Sequence, residues 1–202
     1  MKLRQLEMLL ERVSGFENPS AEREQYQTPA TLAARLLHTA MMRGDITGKT
    51  VLDLGSGTGM LAIGAALLGG DVIAVEEDPK AISIAEANAD DLGCRIRFIQ
   101  GDLTESGIAD IIPKADTGVM NPPFGAQNEH ADRPFIDMAL EKTPVWYGIF
   151  NAGTMPFLAE YIKNRGGIVY SVSAGLSIPR TFTFHTRDRV EIPVEIHVVR
   201  RK

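Results

Sequence analysis

Cysteine is almost missing from this 202-residue chain. Cys94 is the single thiol, which excludes an intramolecular disulfide and any metal site built from cysteines, and fits a reducing compartment. An excess of positive charge is also lacking: 21 Lys and Arg stand against 26 Asp and Glu, for a net charge of −5. This balance argues against a protein that coats nucleic acid by charge alone, but not against a local basic face. Such a face belongs near the carboxyl end, where Arg180, Arg187, Arg189, Arg200, Arg201 and Lys202 outnumber Asp188, Glu191 and Glu195. No long hydrophobic run occurs. The least polar stretch, Met60 to Gly70, is too short to span a bilayer, and the first residues, Met1-Lys2-Leu3-Arg4-Gln5-Leu6-Glu7, interleave charge with apolar residues unlike a signal peptide. These absences predict a soluble cytoplasmic protein without membrane partners. Internal repeats, low-complexity tracts and linkers are missing too, which predicts one domain over residues 1–202, with a helical extension at 1–47 and a core at 48–202.

What is present is an alternation of strand and helix. Leu3, Leu6, Leu9, Leu10 and Val13 recur at helical spacing, predicting an amphipathic helix over 2–13. A polar loop follows, and Thr28 with Pro29 reads as N-cap and first residue of a helix over 29–43. Strands are expected at 51–54, 71–75, 95–99, 117–120, 145–150 and 168–173, with a last, alternating strand at 190–199. Helices are expected from the glycine turn to about residue 68, at 79–92 with Ile82, Ile84, Ala85 and Ala89 inward, and at 154–164. The implied fold class is α/β: a doubly wound, mostly parallel seven-stranded sheet covered by helices on both faces.

The chemistry concentrates at strand ends, where open α/β sheets bind ligands. Asn121-Pro122-Pro123-Phe124 follows the apolar run Gly118-Val119-Met120. Two prolines fix φ and remove two N–H groups, holding the Asn121 side chain and the Pro122 carbonyl in one geometry. Two such oxygens can accept both hydrogens of an exocyclic amine, and Phe124 offers a face for its ring. A Pro-Pro turn with Phe124 packed inward is the competing reading of the tetrapeptide alone. Upstream, Asp53-Leu54-Gly55-Ser56-Gly57-Thr58-Gly59 turns between the first strand and its helix, where glycines permit close approach to a ligand and the helix supplies free N–H groups. It fits a dinucleotide fingerprint badly, because Met60 stands where the third glycine belongs. Glu76 ends the second strand, placed to accept from ribose hydroxyls, and Asp102 follows the third, placed to accept from an adenine amine. Three acids and a glycine turn in register with three strand ends point to an adenosine-containing cofactor.

Asp53-x-Gly55-x-Gly57-x-Gly59, Glu76, Asp102 and Asn121-Pro122-Pro123-Phe124 resemble the site of the Rossmann-like S-adenosylmethionine-dependent methyltransferases that act on amines. Glu24-Gln25-Tyr26-x-Thr28 ahead of the core, and Phe184-His185 near the end, narrow the resemblance to the methyltransferase-like protein 5 family, which makes N6-methyladenosine in small-subunit ribosomal RNA. The resemblance covers almost the whole chain. It implies a cofactor site of Gln25, Tyr26, Thr28, Asp53, Gly55, Gly57, Thr58, Gly59, Met60, Glu76, Asp102 and Leu103, with Gln25 and Thr28 closing over S-adenosylmethionine. It implies catalysis by Asn121, Pro122, Pro123 and Phe124, substrate contacts from Phe124, Phe184 and His185, RNA as substrate, and no metal. It also implies a small zinc-binding activator subunit docking on the third-strand edge, residues 95–100, where an unpaired strand invites addition of another. Gln27 departs from the proline usual before Thr28, and Thr183, Thr186 and Asp188 depart from a lysine-rich segment.

Three other readings compete. The same chemistry could act on a DNA base or a protein glutamine, though Phe124 in place of Tyr leans toward a base, and the chain has little length for a DNA-recognition region. A catalytically silent cofactor-binding subunit is opposed by the presence of Asn121 and the acids. A nicotinamide oxidoreductase is opposed by Met60 and by the lack of a proton relay near the strand ends.

Overall fold

The computed structural model describes residues 1–20, 24–124, 130–179 and 189–202. Its elements run α1 (Leu3–Leu10), α2 (Ala30–Met42), β1 (Thr50–Leu54), α3 (Met60–Leu67), β2 (Asp71–Glu76), α4 (Pro79–Asp91) and β3 (Ile96–Gln100). They continue α5 (Ile108–Ile111), β4 (Thr117–Met120), α6 (Arg133–Lys142), β5 (Val145–Asn151), α7 (Met155–Ile162), β6 (Gly166–Pro179) and β7 (Arg189–Arg201). The strands form one seven-stranded sheet in the order β3-β2-β1-β4-β5-β7-β6. The first five pair in parallel, and β7 is antiparallel to both β5 and β6. The expected α/β sheet and its count of seven strands are therefore observed.

Short strands rich in Val, Ile and Leu form a parallel sheet because both their faces are covered. Val119 and Tyr147 pack on one face with Leu36, Ala62 and Leu6, whereas Met120 and Trp146 pack on the other with Ile136, Leu158 and Ile162. From β1 the chain winds outward through β2 to β3, then returns and winds the other way through β4 and β5. The connections that leave the paired strands β1 and β4 thus run in opposite directions, opening a crevice at the strands' carboxyl ends.

Several boundaries differ from the sequence expectation. Helix α1 stops at Leu10 because the Arg12 and Val13 amides reach back only three residues, to Leu9 and Leu10, in a tighter turn. Helix α2 begins one residue late: Pro29, not Thr28, is its N-cap, with the Pro29 carbonyl accepting from Leu32 and Ala33. On α4 the fully inward residues are Ala81, Ala85, Asn88 and Ala89, and Ile82 and Ile84 are only half-buried. Helices α5 and α6 were not expected. Strand β6 runs well past residue 173, since pairing with β7 satisfies its backbone as far as Pro179. Among the described residues no helix is long and apolar enough to cross a membrane.

Candidate active site

The crevice holds a cavity of about 650 Å³, ample for a nucleoside-sized ligand. Its floor is the glycine turn. Gly55 and Gly57 have φ of +71° and +54°, and a Cβ on Gly55 would lie 2.6 Å from the Phe135 ring, so glycine is required there twice over. The Gly55 and Ser56 amides both donate to the Val75 carbonyl, bringing the turn across to β2. Gly59 is the left-handed N-cap of α3, and Thr58 and Met60 flank it on the cavity wall.

Three acids surround this turn. Glu76, 9% exposed, accepts from the Gly57 amide at 2.8 Å through Oε2 and from the Glu77 and Asp78 amides, both at 3.0 Å, through Oε1. Burial nevertheless raises its pKa above the ordinary carboxylate range. Asp53 is 1% exposed, and neither of its oxygens has a hydrogen-bond partner among the described residues. Desolvation pushes its carboxyl up to about 8, the Ala62 amide, which lies outside hydrogen-bond geometry, offsetting only part of the rise and the Glu76 charge adding to it. An uncompensated buried carboxylate lining a cavity is a receptor for a cationic group. Asp102, half-buried beside Leu103 on the same cavity, uses Oδ1 to accept from the Thr104 amide and hydroxyl.

The loop after α1 closes the cavity from above. Phe16 lies over Gly57, so that a Cβ there would meet its ring at 3.0 Å. Gln25 donates from Nε2 to Asp78 Oδ2 at 3.0 Å and accepts from the Ser20 amide at 2.9 Å. Its amide therefore straps the loop to the start of α4. Asn88, buried on α4, donates to the carbonyls of Ser14 and Thr58 and accepts from the Ser14 amide, tying the loop's first residue to the glycine turn.

Asn121 follows β4 at the crevice. Its Nδ2 donates to Thr28 Oγ1 at 2.9 Å, and its Oδ1 is buried with no partner among the described residues. Pro123 lines the cavity beside it, and Pro122 is buried. Phe124 is half-buried and tilted at 41° against Tyr26, with centroids 5.7 Å apart, while its amide donates to Glu24 Oε2 at 2.7 Å. The cavity thus gathers Gln25, Tyr26 and Thr28 with Asp53, Glu76, Asp102 and Asn121. Phe124 borders it through Tyr26. Phe184 and His185 lie outside the described residues. No group of three or more His, Cys, Asp or Glu among the described residues could hold a metal ion.

Sequence reasoning passed over four contributors. Phe16 and Phe135 close the cavity over the glycines, His130 lines it, and Ser56 offers a buried hydroxyl without a partner among the described residues. The spacing of Ser56 inside the glycine turn was visible; the aromatic contacts are long-range and were not.

The family model for the methyltransferase small domain matches residues 30–142. An uncharacterized protein of Methanocaldococcus jannaschii is 36% identical over 205 residues, covering 97% of this chain and 93% of that one. The rRNA N(6)-adenosine-methyltransferase METTL5 of Danio rerio is 34% identical over 202 residues, covering 96% of this chain and 97% of that one. A crystal structure of a proposed RNA methyltransferase from Pyrococcus horikoshii superposes with a TM-score of 0.90 at 35% identity, covering 100% of this chain and 98% of that one. With a Rossmann-like sheet, a glycine turn ringed by acids and Asn-Pro-Pro-Phe at the crevice, the chain belongs to the methyltransferase small-domain family, among the relatives of methyltransferase-like protein 5.

Proposed function

We propose that this protein transfers a methyl group from S-adenosylmethionine to the N6 amine of an adenosine in ribosomal RNA, and specifically in the small-subunit RNA. The observation that carries the reading is the polarity of Asn121. Its donor end is held by Thr28 and its acceptor end is buried, unpartnered and adjacent to the cavity. An acceptor so placed suits an amine that brings two hydrogens and no charge.

S-adenosylmethionine, the cofactor of this family, supplies a methyl group activated on a sulfonium. The residues present fit it: Asp53 offers a buried carboxylate to a cation, Glu76 a carboxylate at the end of β2, and Asp102 an acceptor beyond β3. Transfer needs positioning more than acid or base help. Asn121 Oδ1 and the Pro122 carbonyl would accept the two amine hydrogens, directing the nitrogen lone pair toward the methyl group. As positive charge develops on that nitrogen both acceptors bind it more tightly, which stabilises the transition state more than the ground state. Phe124, backed by Tyr26, would stack on the base, which must be unpaired or flipped out. The proton can leave later to water.

We further propose that residues 1–202 act as one methyltransferase domain in the cytoplasm, with residues 24–28 and Phe16 serving the same cavity as the sheet. The site residues are those of the glycine turn, the three acids, the loop from Gln25 to Thr28 and the tetrapeptide. The edge position of β3, with Ile96, Phe98 and Ile99 half-buried beside exposed Arg95 and Arg97, supports strand addition by a small zinc-binding activator. Copurification of such a subunit supports it, and an active isolated chain opposes it. The function is tested by incubating the protein with labelled S-adenosylmethionine and, separately, ribosomal RNA, duplex DNA and protein extract. Label recovered as N6-methyladenosine from RNA is expected, and label in glutamine or DNA would overturn the reading.

A further inference from the structure

We propose that Thr28 and Glu24 form the second half of the catalytic tetrapeptide: the Thr28 hydroxyl anchors the Asn121 amide through its NH2, leaving the amide oxygen for the substrate, and the Glu24 carboxylate fixes the backbone of Phe124. The proposal rests on the methyltransferase reading above and assigns positioning roles to the loop preceding α2.

An asparagine amide can turn over at little cost, exchanging an oxygen for an NH2 of similar size. Only the oxygen can accept from an amine. With Nδ2 turned toward the substrate, donor would face donor and the amine would lose one of its two acceptors. In the observed arrangement Nδ2 is held at 2.9 Å by Thr28 Oγ1, a residue 93 positions away in sequence, and Oδ1 is left buried and unpartnered. Thr28 is itself buried on the cavity wall. Because Pro29 is the N-cap of α2, the Thr28 hydroxyl is not used in capping. A second bond holds the other end of the tetrapeptide. The Phe124 amide donates to Glu24 Oε2 at 2.7 Å, across 100 residues, and a charge-assisted bond of this kind is among the stronger ones. Glu24 reaches that position with φ of +49°, a left-handed conformation that a non-glycine residue adopts rarely and at some cost. Tyr26, between the two, packs on the Phe124 ring. One loop of five residues therefore contacts the first and last residues of the tetrapeptide at three points, while Gln25 on the same loop is strapped to α4.

Thr28 also lines the cofactor cavity, so its effect on S-adenosylmethionine affinity is measured separately, and the positioning roles of Thr28 and Glu24 are read from turnover at saturation. Thr28→Val keeps the shape and removes the hydroxyl; Thr28→Ser keeps the hydroxyl and removes a methyl. At saturating S-adenosylmethionine and RNA, Thr28→Val is expected to lower kcat by about tenfold to a hundredfold, the scale of a misplaced reacting group. Thr28→Ser is expected to restore kcat to within about threefold of wild type, as a single retained hydrogen bond requires. Glu24→Ala and Glu24→Gln make the corresponding pair, the glutamine keeping an acceptor for the Phe124 amide. Equal losses in Thr28→Val and Thr28→Ser, or no loss in either, would overturn the assignment of Thr28, and the same pattern at position 24 would overturn that of Glu24.

A second readout is independent of activity. In protein labelled with 15N-asparagine, the Asn121 side-chain NH2 pair, identified by its disappearance in Asn121→Asp, should exchange slowly with solvent in wild type and Thr28→Ser and rapidly in Thr28→Val. Similar exchange in all three would refute the contact. If wild type methylates no RNA yet this exchange pattern appears, the methyltransferase reading fails and the Thr28 contact stands; a methylating enzyme without the pattern gives the reverse.

Discussion

With Asp53 as receptor for the cofactor's ammonium, cofactor binding is expected to be a proton-coupled event. In the unliganded protein the Asp53 carboxyl, 1% exposed and without a hydrogen-bond partner among the described residues, has a pKa of about 8. Pairing with a ligand ammonium would return it to the ordinary range near about 4. Below about pH 8 the ligand must then displace one proton to bind, and affinity should rise about tenfold for each unit of pH, or about twentyfold between about pH 6 and about pH 7.5. Calorimetry with S-adenosylhomocysteine, a stable ligand with the same ammonium, in two buffers of different ionisation enthalpy should report close to one proton released. Asp53→Asn should release none, bind more weakly at about pH 7.5, and show a flat profile. The unliganded protein should show the opposite trend in stability. Between about 4 and about 8 the unfolded chain has lost this proton while the folded chain keeps it, so stability falls as pH rises, by up to about 1.4 kcal/mol per unit. Subtracting the melting profile of Asp53→Asn isolates that slope. A wild-type affinity that is flat in pH with no proton released would refute the role of Asp53 as receptor for the cofactor's cation.

Two further substitutions separate the cofactor side from the fold. Glu76→Ala removes the acceptor of three backbone amides, including that of Gly57. It should weaken S-adenosylmethionine binding by about tenfold to a hundredfold, by freeing the turn and removing the carboxylate; unchanged affinity in calorimetry would remove Glu76 from the site. Asn88→Ala breaks three hydrogen bonds that tie Ser14 to Thr58 through α4. A loss of about 2–3 kcal/mol is expected, with a fall in Tm of about 5–10 °C. A Tm within about 1 °C of wild type would show that the loop is held by other contacts.

The sheet was legible because each core strand is a short apolar run with both faces buried, as in Val51-Leu52-Asp53-Leu54, and because the turn signals around it are glycines and prolines. Helix α6 was not legible. Arg133-Pro134 reads as a break after a polar loop, yet a proline in the first helical turn lacks only an N–H that would be unsatisfied there anyway. The extra length of β6 beyond residue 173 was hidden because Gly175 and Pro179 read as strand breakers, and the order of that stretch comes from the ladder with β7. At the site, the acids and the tetrapeptide could be read from their spacing relative to strand ends. Contacts that cross the chain could not. Thr28 looks like an N-cap one residue before a proline, and only its distance to Asn121 shows that its hydroxyl is used elsewhere.

Presentation of the Asn121 amide oxygen to an adenosine amine in ribosomal RNA is the step on which the proposed activity depends. Its most direct test is nucleoside mass spectrometry of small-subunit ribosomal RNA from cells lacking this protein, complemented with wild type or with Asn121→Ala, whose S-adenosylmethionine affinity is measured in parallel. Loss of one N6-methyladenosine, restored by wild type and not by an Asn121→Ala protein that still binds the cofactor with affinity within about threefold of wild type, is the predicted result. An unchanged RNA profile in cells lacking the protein, or full restoration by Asn121→Ala, would contradict it.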